Sequence, residues 1–370
     1  MRRWSVRMLA VAVAASATVA CSATPEQVPE SAGSAPSGTL ASALGGTAGS
    51  APVESPASTS ADAAGSTAVS SPVGSAAGTD PATVLADRPF ASTSPFNVPV
   101  VAAPAVDPDS AAMIARVSRA GLGHANLVEF GIPIYDATPD TPRKSVQCTI
   151  TQWGPCPLAD ESPRPIPANA EPGVGRDGAM VVVERAADTA DEYFQAAPDG
   201  TGWTTGWGTI TSLSGSGWEG GTTGAGASRL GGIIRVAEIQ AGAIPHALVL
   251  ESDTACAGSS RPPAVKTDGE STRPDCIPEG ARLQLDPTID VTAIPDITPG
   301  EVAVAQALQV YGGYLIDRAD TSLAVGFEVA PDATPANPGA VYTQAGLAWD
   351  YYGMPHIPWD RLRVLQTWDG

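Results

Sequence analysis

Large apolar residues divide the 370-residue chain into three regimes. A basic start, Met-Arg-Arg-Trp-Ser-Val-Arg, runs into an apolar, Ala-rich stretch from Met8 to Ala20. From Ser22 to about Leu85 there is Ser, Ala, Gly, Thr and Pro with almost no large side chain. Beyond Asp87-Arg88-Pro89-Phe90, apolar and aromatic residues recur as far as Trp368. Only this last regime carries enough apolar surface for a core.

Within it, most runs are short, β-branched or alternating, bounded by Gly, Pro, Asn and Asp. They include LVEFGIPIYD from Leu127, SVQCTITQW from Ser145, AMVVVER from Ala179, DEYFQAA from Asp191 and GIIRVAEI from Gly232. HALVLES from His246, ARLQLD from Ala281, YLIDR from Tyr314, SLAVGFEVA from Ser322 and RLRVLQTW from Arg361 follow. Such runs predict strands. In GAIPHALVLES, alternation puts Ile244, His246, Leu248 and Leu250 on one face, and Pro245, Ala247, Val249 and Glu251 on the other. Two helices are also predicted. One spans Pro108 to Ala120, with Asp107 or Asp109 as cap and Ala112, Ile114 and Val117 as its stripe. The other starts at Pro299-Gly300-Glu301, ends at Gly312-Gly313, and aligns Val304, Ala307, Leu308 and Tyr311 on one face. Many strands with little helix predict a mainly β domain, an antiparallel, jelly-roll-like β-sandwich with two peripheral helices. No fixed-period repeat points to a propeller.

The expected organisation is an export signal over residues 1–20, a linker over 21–87 and one β-rich domain over 88–370. The apolar run is too short for a permanent membrane span and follows a basic segment, as export signals do. Thr18-Val19-Ala20-Cys21 resembles a bacterial lipobox, which implies a lipid on Cys21 and anchorage to the outer face of the cell membrane. The alternative is plain secretion with Cys21 as a free thiol. The linker buries too little surface to offset its ordering entropy and is expected to be a disordered tether. An odd cysteine count in an exported chain fits a special role for one of the five. Cys148, Cys156, Cys256 and Cys276 then remain and permit three pairings. Proximity favours Cys148–Cys156 and Cys256–Cys276 over a zinc site.

Charge narrows the partners. Removing Arg2, Arg3 and Arg7 with the signal takes the formal charge from −19 to −22, which disfavours nucleic acid and anionic lipid headgroups. Lys144 and Lys266 are the only lysines, and this with the Ala, Gly and Pro enrichment suggests a GC-rich, actinobacterial genome.

The run TGAGASRLGGIIRVAEIQAGAIPHALVLES, then IPEGARLQLDPTIDV, then VAVAQALQVYGGYLIDRADTSL resembles a module of exported actinobacterial and other bacterial proteins. That family shows Gly-x-Ile-x-His-Ala-Leu, Gly-x-Arg-Leu and Ala-Leu-x-x-Tyr-Gly motifs, and SPFNVPV and VDPDSAAMIARV resemble its start. The likeness spans most of residues 90–330. It implies one exported β-rich domain and marks Glu238, His246, Arg282 and Asp317, but no reaction.

The chemistry expected is action on, or binding of, an extracellular polysaccharide. His246, one of three histidines with His124 and His356, is the candidate acid/base, because imidazole alone titrates near neutrality. The competing reading makes it a hydrogen-bonded core residue. Glu238 or Asp317 is its candidate carboxylate partner, and Arg282 the charge-stabilising group. Glu184, Glu192 and Glu251 are further strand carboxylates for a hydrolase, while a lyase would pair His246 and Arg282 with Tyr193 or Tyr314. Trp203, Trp207 and Trp218, set among glycines, are candidate sugar-stacking platforms, with core filling as the alternative. A non-catalytic wall- or partner-binding module is the second function class. The chain lacks a G-x-S-x-G elbow, a P-loop and H-E-x-x-H spacing, so a nucleotide site and a transition metal are not expected. No cofactor is expected beyond Ca2+ on Asp253, Asp268, Glu270 and Asp275, beside the loop from Cys256 to Cys276.

Overall fold

The computed structural model describes residues 80–366. The expected export signal, Cys21 and the expected linker up to residue 79 lie outside the described residues, as do residues 367–370. Among the described residues no helix is long and apolar enough to cross a membrane.

Two larger sheets carry the fold. The first has six strands in the order His124–Asn126, Ala324–Gly326, Leu248–Glu251, Gly313–Asp317, Arg282–Leu285 and Leu362–Val364. The second has four, Trp207–Ser212, Thr189–Phe194, Met180–Glu184 and Ile134–Asp136. The domain is mainly β with few helices, as expected, but the antiparallel pairing expected throughout holds only in part. Leu248–Glu251 runs parallel to Gly313–Asp317, and Ile134–Asp136 runs parallel to Met180–Glu184. Parallel neighbours need crossovers, and the chain from Leu248–Glu251 to its parallel partner Gly313–Asp317 passes through Arg282–Leu285, which pairs antiparallel with Gly313–Asp317, and then the helix Pro299–Val310.

Alternation sorts side chains into layers. Leu248, Leu250 and Leu315 join a cluster with Ala303, Val304, Ala307 and Leu308 of that helix. Ala247, Val249, Tyr314 and Ile316 face the other way, onto Val181 and Val183 of the second sheet. Met180, Val182 and Tyr193 on the opposite face meet Leu158, Ile166 and Trp203 in a third cluster. The unbroken apolar run Met180 to Val183 follows from this: its strand is covered on both faces.

The predicted helices form at Ser110–Val117 and Pro299–Val310. In the second, Thr298 Oγ1 accepts from Glu301 N and Glu301 Oε2 from Thr298 N, a capping box. The run GIIRVAEI departs from expectation. Ile234 makes one isolated bridge to Phe327, and Val236–Ala241 is helical. Glu238 causes the switch, because its Oε2 accepts from Arg235 N at 2.8 Å, and Gly242 at φ +65° ends the turn. His246 therefore precedes its strand, which begins at Leu248. Both favoured disulfides, Cys148–Cys156 and Cys256–Cys276, are present.

Candidate functional site

The four catalytic candidates do not converge. His246 and Glu238 are each 4% exposed and meet each other, His246 Nε2 lying 3.0 Å from Glu238 Oε1. The other ring nitrogen, Nδ1, lies 2.9 Å from Ala247 O. Burial would push the imidazole pKa down, but the Glu238 carboxylate overrides it and the pKa is raised. This pair ties the helix Val236–Ala241 to the strand that follows; it lines none of the cavities described below. Arg282 is buried too, donating to Tyr311 O (2.7 Å) and Val98 O (2.6 Å) over the Tyr314 ring. Burial lowers its pKa. The lyase candidates Tyr193 and Tyr314 are sealed in the core, where burial raises both phenols.

Two of the three candidate tryptophans, Trp203 and Trp218, are buried in the core. Trp218 stacks on Phe96 at 5.0 Å, and Trp203 fills the third cluster. Trp207 is half-buried and donates from Nε1 to Pro155 O. Trp203, Trp207 and Trp218 form no exposed stacking strip, because Trp203 and Trp218 have their faces covered.

Asp317 is the candidate that leads to a site. It ends the strand Gly313–Asp317, and Glu251 ends its parallel neighbour. Leu250 pairs with Leu315, then the register shifts so that Glu251 pairs with Asp317, leaving Ile316 as the extra residue. A bulge of this kind re-aims the side chains after it, and here it sets two carboxylates side by side. Across them lies Arg229, whose Nη2 is 3.5 Å from Asp317 Oδ2.

Glu192 places that arginine. Fully buried, it accepts from Thr211 Oγ1 (2.6 Å), Thr222 N (3.1 Å), Thr222 Oγ1 (3.0 Å), Ser228 Oγ and Arg229 N (2.9 Å). Within residues 213–232, a stretch without regular structure, Thr222, Ser228 and Arg229 are thereby gathered on one carboxylate.

Beside this group opens a cavity of about 370 Å³ whose walls include Glu251, Asp177, Asn126, His124, Phe130, Arg176 and Tyr351. Glu251 and Asp177 also share a smaller hollow with Arg229 and Phe130. Asn126 Nδ2 donates to Glu251 Oε2 at 3.2 Å. Phe130 and Tyr351 stand 6.4 Å apart, and Arg176 lies over Phe130 while pairing with Asp320 at 2.8 Å. Asp350 fixes the aromatic wall by accepting from the backbone N–H groups of Leu127, Val128 and Glu129. Tyr351 adopts φ +59°, and its hydroxyl donates to Glu129 Oε2 at 2.6 Å.

Crowded acids in a poorly solvated site hold protons. Burial, then the Asp177 and Asp268 charges, push Glu251 up to about 7 against the opposing Arg229. Asp317 is driven well above the carboxylate range by burial and by Asp268, Glu251 and Asp177. Glu279, behind Asp317, is raised to about 9 by burial and by its contact with Asp268.

The calcium set expected from the sequence does not assemble. Asp253 is paired with Arg119, Glu270 with Arg318 and Asp275 with Arg273, leaving only Asp268 directed at this cluster. Asp177, Arg229, Asn126 and Glu279 were not singled out by the sequence. The available signal was the pair LVLE and YLID, aliphatic strands each ending in an acid. No family model, curated protein or solved structure matches the chain.

Proposed function

We propose that the domain hydrolyses an extracellular glycan in this cavity, with Glu251 as proton donor and Asp177 as the partner carboxylate. The observation that carries the reading is geometric: two carboxylates from separate segments line one cavity beside two aromatic side chains. Glycoside hydrolysis needs an acid and a carboxylate flanking the bond to be broken. A donor must be protonated near neutrality, and burial of Glu251 supports that state. Phe130 and Tyr351 offer ring surface to sugar C–H groups. The volume lies within the usual range of small-molecule sites, about 300–1,000 Å³. The export signal, the tether and the lipid on Cys21 would hold this cavity outside the cell, within reach of wall polymers. A non-catalytic module is the second reading, favoured by the enclosure of His246.

The test incubates the full-length chain with a panel of wall and plant polysaccharides and measures new reducing ends. Glu251→Gln and Asp177→Asn are each expected to lower the rate by about 100-fold or more. Saturable glycan binding without new reducing ends would establish the binding module instead. Unsaturated uronates would mean elimination, and no interaction with any glycan would remove the proposal.

A further inference from the structure

We propose that Asp268, Glu279 and Asp317 form a binding site for one hard divalent cation of the Ca2+ type. The inference goes beyond the glycan reading and does not rest on it. The three residues come from separate segments: the loop closed by the Cys256–Cys276 disulfide, the end of the strand Ile277–Glu279, and the end of Gly313–Asp317. One carboxylate oxygen of each lies within 4.8 Å of the others. That is the span across a Ca2+ ion whose oxygen ligands sit at about 2.4 Å.

The independent sign of a missing ligand is Glu279. It is 0% exposed, and its Oε1 has no hydrogen-bond partner. Its Oε2 accepts a long bond from Asp268 N, at 3.3 Å, and the side chains of Asp268 and Thr267 stand against the same carboxyl. A buried carboxylate oxygen without a donor carries the whole cost of its desolvation. A cation among the three carboxylates removes that cost. Among the described residues no ion pair reaches Asp268 or Glu279, and the single nearby guanidinium, Arg229, touches Asp317 at 3.5 Å while also donating to Thr222 O at 3.2 Å.

The backbone is shaped to the same spot. A Cβ at Gly224 would collide with Asp268 Oδ1 and come within 2.9 Å of Asp317 Oδ1, so a side chain there would displace these carboxylates. All donors are oxygen, which selects Ca2+, Mg2+ or Mn2+ over softer metals.

The test is calorimetric titration of the chelator-treated full-length chain with CaCl2, alongside thermal melting with and without Ca2+. Wild type is expected to show one saturable site and a dose-dependent rise in Tm. Asp268→Asn, at an exposed position, should weaken the affinity about tenfold or more and reduce the Tm response. Glu279→Gln should abolish the response while raising the Tm of the metal-free protein, because it replaces the unpaired buried acid. If Glu279→Gln does not fold, Asp268→Asn decides alone. Absence of saturable binding of Ca2+, Mg2+ or Mn2+ up to about 10 mM, above the range of weak extracellular calcium modules, would overturn the proposal. So would binding that Asp268→Asn leaves unchanged. Neither readout depends on glycan turnover.

Discussion

Glu238→Gln separates a structural imidazole from a catalytic one. The amide keeps the shape of Glu238 and can still accept from Arg235 N, so the helix start survives and only the charge facing His246 is removed. The charged groups around that ring are Glu238, which favours the imidazolium, and Arg235, which opposes it and is itself paired with Glu328. A buried hydrogen bond to a charged partner contributes about 1.5–3 kcal/mol, so the variant should lose about 2 kcal/mol where the imidazole is protonated. Because the folded pKa of His246 is raised, this contribution is complete below the unfolded value, about 6.5, and fades as pH rises through the folded value. For a body the size of residues 80–366, about 2 kcal/mol corresponds to a fall in Tm of roughly 3–4 °C. Calorimetric melting of both proteins at pH 5.5 and pH 9 should show that gap at the lower pH and a smaller one at the higher. An equal gap at both would mean the ring is neutral throughout and the reasoning is wrong. Glycan hydrolysis that falls about 100-fold with an unaltered Tm would return His246 and Glu238 to the reaction.

Two further outcomes follow from the same contacts. Replacing Cys256 and Cys276 by serine opens a loop of sequence separation 20 and is expected to cost about 3 kcal/mol in urea unfolding; a change below about 0.5 kcal/mol would show that the loop is held by other contacts. Glu192→Ala removes the acceptor shared by Thr211, Thr222, Ser228 and Arg229 and should cost about 3–5 kcal/mol, with limited proteolysis cutting within residues 213–232; an uncut loop would refute its role as the organising carboxylate.

Local chemistry was readable where neighbours in the chain suffice. The helix Pro299–Val310 has its capping box at Thr298 and Glu301 and its apolar face written at i, i+3, i+4 and i+7 in Val304, Ala307, Leu308 and Tyr311. The strand Leu248–Glu251 alternates as read, with Leu248 and Leu250 on one cluster and Val249 on the other. The close-sequence cysteine pairs also form. The misreading of RVAE as strand shows the limit: its β-branched neighbours outweighed one capping glutamate.

The candidate site was only half legible. Asp317 was read as a candidate partner of His246 and Glu251 as one of several strand carboxylates, but the bulge at Ile316 that makes the two neighbours is a matter of pairing, not of composition. His246 looked catalytic because its residue type is rare and reactive; the fold spends it on Glu238 in a closed interior.

The sequence by itself determined most of the elements and the acidity and favoured the cysteine pairs that form, since each depends on residues close in the chain or on simple totals. The tertiary structure alone decided which acids meet. Asp177, Glu251, Asp268, Glu279 and Asp317 are scattered over residues 177–317, and what turns them into a site is strand register and the loss of water around Glu251, Glu279 and Asp317, neither of which any one segment contains.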